Sequence, residues 1–440
     1  MNTAPLEELR HVCALGAVQS VVAIPRAIPL IHAGPGCGGK IWNALSSFNA
    51  YQGSGYAGGH AMPCTNTGEN EVIFGGEQKL RDVLSGTLRV MDGDLYVVLT
   101  GCTSDIVGDD TGGVVKEFRD EGYPVVHAEA GGFKGTNLYG HEEVLKAIAD
   151  QYIKPTGKQE PGLVNIWSPV PYQDPFWAGN LDALKALTGS IGLKPNAIFG
   201  YGGGTDAIRR VPEAAFNLLV SPWVGLESIR FLETRFGTPF LHYPVLPIGP
   251  TETAAFLRTL GDYARISPSV VEAAISGQEE RYYHYAERIG DFLFESRSGQ
   301  PTRFITVCDS SYATGISRFL TGDLGLIPDL QFVTDDPPEE FQPAIESAFQ
   351  NVVDGITAQV IFTNDGGVVR DTLRAAQFYG RPFLIGTTWD RVAARELNAY
   401  PLSISMPVTD RLILNRTYVG YDGALRLLED LFSTVLSDYQ

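Results

Sequence analysis

The sequence predicts an α/β protein of three doubly wound, Rossmann-like domains with parallel sheets. Three observations predict it. Strand-length apolar runs alternate with amphipathic stretches along all 440 residues, the pattern of β/α units. Most of the apolar runs are continuous, as strands covered on both faces require. Two polar breaks rich in Pro and Gly, Lys154 to Gly162 and Glu295 to Pro301, divide the chain into lengths ordinary for domains. The expected domains are 1–158, 159–300 and 301–440.

In chain order, an apolar segment Ile28–Ile31 leads into a glycine-rich loop. Strands are expected at Leu95–Thr100, Pro124–Ala128, Leu163–Trp167, Asn196–Gly200 and Phe216–Ser221. Four more follow at Arg303–Cys308, Leu330–Thr334, Gln359–Thr363 and Pro382–Gly386. Between them, Asn180–Thr188 and Thr251–Asp262 repeat Leu, Ala or Phe at three- and four-residue spacing, which makes one apolar helix face. Thr251 marks a helix start. Ser310 or Ser311 is the expected N-cap of the helix after Cys308. Gly202-Gly203-Gly204 follows a strand without dinucleotide-binding spacing and reads as a flexible crossover.

Charge narrows the function. Acidic residues outnumber basic ones 51 to 33, for a net charge of −18. A nucleic-acid binder would need a basic surface to neutralise phosphates, and an anionic membrane would repel this chain. No apolar stretch approaches the ~20 residues of a membrane span. The first ten residues carry Glu7, Glu8 and Arg10 and no apolar core of a secretory signal, so a cytoplasmic location is expected.

Five cysteines are present: Cys13, Cys37, Cys64, Cys102 and Cys308. A cytoplasmic protein needs no disulfides. Three cysteines lie among small residues: Cys13-Ala14-Leu15-Gly16-Ala17, His32-Ala33-Gly34-Pro35-Gly36-Cys37-Gly38-Gly39 and Thr100-Gly101-Cys102-Thr103-Ser104-Asp105. Cys37 and Cys102 fall at the carboxyl ends of expected strands, where α/β sheets place ligands. Small neighbours let backbone N–H groups approach an inorganic cluster and tune it. The separations match neither a zinc CxxC pattern nor a ferredoxin run. His32 reads as a structural hydrogen-bonder.

These segments, taken in order, resemble the three cluster-binding motifs of the nitrogenase component 1 family. Asn70-Glu71-Val72-Ile73-Phe74-Gly75-Gly76 resembles the family's acidic-hydrophobic-FGG element, and Val107-Gly108-Asp109-Asp110 its IGDD element. Ser221-Pro222-Trp223-Val224-Gly225 stands where an α-type subunit would carry its cofactor cysteine. No histidine follows His284, so the α-type cofactor histidine motif is absent too. The endings Met406–Arg411 and Val419–Ala424, and the segments Phe236–Phe240 and Leu246–Gly249, are β-like.

The resemblance implies that Cys13, Cys37 and Cys102 supply this subunit's share of an iron–sulfur cluster, an [8Fe-7S] P-cluster type or a [4Fe-4S]. Thiolates suit iron as soft anionic donors. An α-type catalytic subunit would share the cluster in an α2β2 heterotetramer, and a separate ATP-dependent [4Fe-4S] reductase would deliver electrons. Gly132 falls where molybdenum-type β subunits place a serine near the cluster. Ser46–Pro63 looks unlike standard β subunits, and Cys64 is added nearby and reads as packing. Cys308 reads as core. These departures point to a β-type chain of methylthio-alkane reductase, a nitrogenase-like enzyme that cleaves C–S bonds. The alternatives are the β subunit of an iron or vanadium dinitrogen-reducing nitrogenase and a scaffold for cofactor assembly, which the complete cysteine set disfavours.

Overall fold

The structure, a computed structural model, describes residues 6–437 apart from 54, 169, 296–299 and 351. Among the described residues, twelve strands form three all-parallel sheets. The first holds β1 (Ala27–His32), β2 (Leu95–Thr100) and β3 (Val125–Ala128), side by side in chain order. The second holds β4 (Glu160–Trp167), β5 (Lys194–Asn196), β6 (Ala214–Val220) and β7 (Phe240–Tyr243), in the order β5-β4-β6-β7. The third holds β8 (Arg303–Cys308), β9 (Ile327–Val333), β10 (Gln359–Phe362), β11 (Phe383–Gly386) and β12 (Tyr400–Ser403), in the order β10-β9-β8-β11-β12. The second and third sheets reverse direction beside β4 and β8, which makes crevices at their carboxyl ends.

Alternation within the strands explains the continuous apolar runs. Ile28 and Leu30 of β1 and Tyr96 and Val98 of β2 pack on Leu80, Leu84, Val114 and Val115 of the helices Glu77–Val90 and Thr111–Asp120. Ile31, Val97 and Leu99 face the opposite way, into a large core that also takes in Val164, Ile166, Leu218 and Phe304 of the other sheets. Each strand is thus apolar on both faces.

Three expectations need correction. The strand expected at Asn196–Gly200 is Lys194–Asn196 and stops there. Beyond it the Gly204 N–H bonds to the Ile198 carbonyl and the Gly200 N–H to the Ala23 carbonyl, with Gly200 at φ +69°. The backbone groups are spent on a turn and cannot extend the ladder. The helix expected from Thr251 begins at Gly249 with Ile248 as its N-cap, and the Thr251 hydroxyl instead bonds Asp323 at 2.5 Å. The cap of the helix Ser310–Gly322 is Asp309, whose carboxylate accepts from the Ser311 and Tyr312 N–H groups. In the break at Glu295 to Pro301, residues 296–299 lie outside the described residues. No described helix is long and apolar enough to cross a membrane.

Candidate metal centre

Parallel pairing places the cysteine loops. β1 and β2 run in register to their last residues, with His32 opposite Thr100. Their following loops therefore emerge side by side. Gly34 caps the helix Pro35–Ser47, which carries Cys37 in its first turn, and Gly101 caps the helix Cys102–Val107. A Cβ on Gly101 would lie 2.5 Å from the Ala33 Cβ, so the two loops touch only because glycine stands there.

Cys13 arrives from the chain's beginning. Its segment pairs with the loop after β3: Cys13 bridges Thr136, the Ala14 N–H bonds to the Gly135 carbonyl at 3.0 Å, and the Asn137 N–H to the Val12 carbonyl at 2.9 Å. Gly140, in the helix Asn137–Gln151, admits this segment, because a Cβ there would lie 2.1 Å from the Ala14 carbonyl oxygen. Residues far apart in sequence thus share one rim at the carboxyl end of the first sheet. Gly132 lies between two of them: a Cβ there would be 3.1 Å from the Cys13 Cβ and 3.3 Å from the Cys102 Sγ. The Gly132 N–H already donates to the Cys102 Sγ at 3.0 Å.

The electrostatics suit a cationic guest. Burial pushes the Cys37 thiol pKa up, and the neighbouring Cys13, Cys102 and Cys64 raise it further, against a small opposing pull from Lys40. Three thiolates repel one another unless positive charge joins them. Both glycine caps lack a side chain for the first helical N–H groups. Pro35 has no N–H and the Cys37 N–H bonds to the Gly34 carbonyl at 3.2 Å, so Gly36, Cys102 and Thr103 carry the first-turn N–H groups open to an electron-rich acceptor beside the sulfurs.

The rim is open. Cys13, Cys37 and Cys102 are each partly exposed, and a Cβ on Gly36, Gly38 or Gly39 would meet nothing of this chain within 4 Å. Glycine inside a helix costs up to about 1 kcal/mol relative to alanine, yet no contact within the chain requires it here. The space above these glycines fits a bulky group or a second chain. Among the described residues no group of three His, Cys, Asp or Glu side chains is gathered to hold a single metal ion. A cluster spaces its thiolates by its own width, and this donor set fits that class of guest.

The remaining candidates divide cleanly. His32 is fully buried and spends both ring nitrogens, Nε2 on Asp109 at 3.0 Å and Nδ1 on the Thr65 hydroxyl at 3.1 Å. Burial holds it below the usual imidazole pKa despite Asp109. Asp109 also accepts the Gly76 N–H at 2.7 Å, and a Cβ on Gly76 would lie 2.9 Å from the His32 ring. The FGG and GDD elements thus meet on one imidazole and brace the loops that carry Cys37 and Cys102. Cys64 gives its thiol to the Ala33 carbonyl at 3.5 Å. Cys308 is fully buried at the end of β8 with its Sγ on the Ile385 carbonyl at 3.4 Å. Sequence reasoning marked Gly76 only as part of the FGG element and missed Gly140, and both matter through contacts remote in sequence.

Comparison with known proteins agrees with this architecture. The family model described as nitrogenase component 1 type oxidoreductase matches residues 13–436. The molybdenum-iron protein beta chain of Azotobacter vinelandii nitrogenase is 23% identical, covering 96% of this chain and 82% of that protein. Its counterpart in Methanothermobacter thermautotrophicus is 25% identical, covering 96% and 93%. The structure titled "Nitrogenase Cp1 at pH 6.5" superposes with a TM-score of 0.82 at 19% identity, covering all of this chain and 95% of that one. The chain belongs to the nitrogenase component 1 family of oxidoreductases. Within that family it is a β-type subunit.

Proposed function

We propose that this chain is the electron-relay subunit of a nitrogenase-like reductase, with Cys13, Cys37 and Cys102 holding its share of an iron–sulfur cluster. One observation carries the reading: three partly exposed thiols share an uncapped, glycine-lined rim whose outer side this chain leaves empty. A bound cluster there supplies storage and transfer of single electrons. An α-type catalytic subunit would close the open side and complete the thiolate set. The chain's own residues hold the ligands in place: His32 and Asp109 brace the loops, and the Gly132 N–H is aimed at the Cys102 sulfur. Hydrogen bonds of this kind to cluster sulfur tune potential.

An electron donor must approach the same rim. Ile73, Phe74 and Ile106 are exposed close to it, Phe74 at 83%, and they offer an apolar footing to an ATP-dependent [4Fe-4S] reductase. Gly132 supports assignment to a divergent branch, because it brings no side-chain oxygen to the cluster. The substrate class we assign is small methylthio-alkanes, cleaved at C–S. The names of the relatives, nitrogenase beta chains, favour the second reading, dinitrogen reduction by an iron- or vanadium-type enzyme.

Anaerobic purification with the neighbouring α-type chain tests the cluster. Iron bound together with charge-transfer absorption is expected, and iron near zero overturns the relay and leaves an inert interaction subunit or scaffold. Adding the reductase, ATP and either a methylthio-alkane or dinitrogen tests the substrate. Methanethiol is expected, whereas ammonia alone overturns the methylthio-alkane assignment.

A further inference from the structure

A second site lies away from the cysteines, between the carboxyl ends of the second and third sheets and the helix Asn137–Gln151. A cavity of 60 Å³, measured to the centres of water-sized spheres, is lined by Asp174, Asp309, Asp335, His141 and Ser221. At roughly 10–15 Å³ per water on this measure, it holds about four to six waters or an organic molecule of similar bulk. Its walls are mostly apolar, Phe199 and Leu219 among them.

Two polar groups in this cavity lack a partner. His141 is 6% exposed and gives Nδ1 to the Ser20 hydroxyl at 2.7 Å, while its Nε2 has no hydrogen bond among the described residues. Ser221 is 8% exposed and its hydroxyl likewise has none. Both atoms are open to the cavity, where a ligand can bond them.

The carboxylates lack a cation. Asp174 accepts from the Phe176 N–H, Tyr312 hydroxyl and Asn180 amide. Asp335 accepts from the Ser310 N–H and hydroxyl and from the Trp223 indole. Asp309 accepts from two helical N–H groups and the Ser405 hydroxyl. Each uses three of about four acceptor positions and keeps one. Among the described residues no lysine or arginine lines the cavity. Burial raises all three pKa values, and Asp309 raises those of the other two further. Burial also holds His141 neutral, its pKa pushed down to about 4.

We infer that this cavity binds a small organic cation with N–H donors, a protonated amine or amidine, between the Asp174, Asp309 and Asp335 carboxylates and the His141 and Ser221 side chains. The carboxylates supply the countercharge and the open acceptor positions. His141 receives a further N–H at Nε2 when Nδ1–H donates to Ser20. The apolar walls select an organic body over a hydrated inorganic ion. The site goes beyond the electron-relay reading and does not depend on it, because no cysteine lines the cavity.

The test titrates the purified 440-residue chain with acetamidinium and with acetamide, its neutral isostere, followed by saturation-transfer NMR and thermal midpoint. Acetamidinium should saturate at one site per chain and raise the midpoint, with acetamide at least tenfold weaker. Asp309→Asn keeps a capping oxygen for its helix and should weaken acetamidinium at least tenfold while leaving acetamide unchanged. Ser221→Leu, which fills the cavity at a hydroxyl no other residue uses, should abolish binding. Equal binding of the two isosteres, displacement of acetamidinium by equimolar potassium, or unchanged binding in Ser221→Leu would each overturn the proposal.

Discussion

Cys102 and Cys308 both sit at the carboxyl end of a parallel strand, yet their surroundings are opposite. Cys308 ends β8 in full burial, and burial drives its thiol pKa well up. The residue after it, Asp309, fills the N-terminus of the following helix with its own carboxylate. Cys102 is partly exposed, follows a side-chain-free glycine cap, and takes an N–H from Gly132 on its sulfur. Strand-end position therefore does not define a metal ligand. Whether the chain satisfies its own helix terminus, or leaves it to something else, separates core thiol from candidate ligand.

The largest test of this contrast is iron content. Cys37→Ala or Cys102→Ala should remove most of the iron from the anaerobically purified complex, and Cys308→Ala should leave it unchanged. Equal retention in all three variants breaks the contrast. Next comes the anchor that ties the Cys13 segment to the third sheet. Arg10 is buried and pairs with Asp390 through two bonds of 2.7 Å. Removing one partner of a buried pair strands the other charge, so Arg10→Ala should cost about 3–5 kcal/mol, read by denaturant unfolding. A loss under 1 kcal/mol would show the pair to be dispensable.

Gly140→Ala sharpens the comparison without touching a ligand. Its Cβ would collide with the Ala14 carbonyl, and overpacking of this kind costs about 1–3 kcal/mol. Stability and iron content should fall together, and retained iron would show that Cys13 is placed by other means. The last test is of pH dependence, at Asp174, which lines the same cavity as Asp309. The Asp174 pKa is raised by burial from 3.8 to about 7, so the folded chain keeps a proton that the unfolded chain releases. This contribution is fully present below the unfolded value and is lost as pH rises through about 7. The thermal midpoint should fall between pH 4 and 7, and Asp174→Asn should flatten that fall. An unchanged slope in the variant would remove Asp174 as its source.

Much of the fold was legible because parallel strands buried on both faces must be apolar throughout. The strands at Leu95–Thr100 and Arg303–Cys308 have the expected boundaries. The edge strands β7 and β12 were not foreseen, since β7 is only partly buried along three of its four residues and β12 carries Pro401, so neither reads as a continuous apolar run. The turn after Asn196 was missed because its apolar residues are buried without being paired in a strand. At the site, the glycine and cysteine context marked the three loops, and His32 has the structural role expected of it. Gly140 gave no local sign, because what it makes room for, the Ala14 backbone, lies elsewhere in the chain.

By itself the sequence determined the α/β class, the parallel sheets, the glycine-rich cysteine loops and the acidic net charge. Each follows from residue type and short-range order. Only the tertiary structure decided that Cys13 reaches the rim through the loop after β3. It alone brought Gly132 between two thiols and gathered three carboxylates around a cavity between the second and third sheets. Those outcomes depend on strand register and on which backbones approach closely. Long-range packing sets both, and no local pattern encodes them.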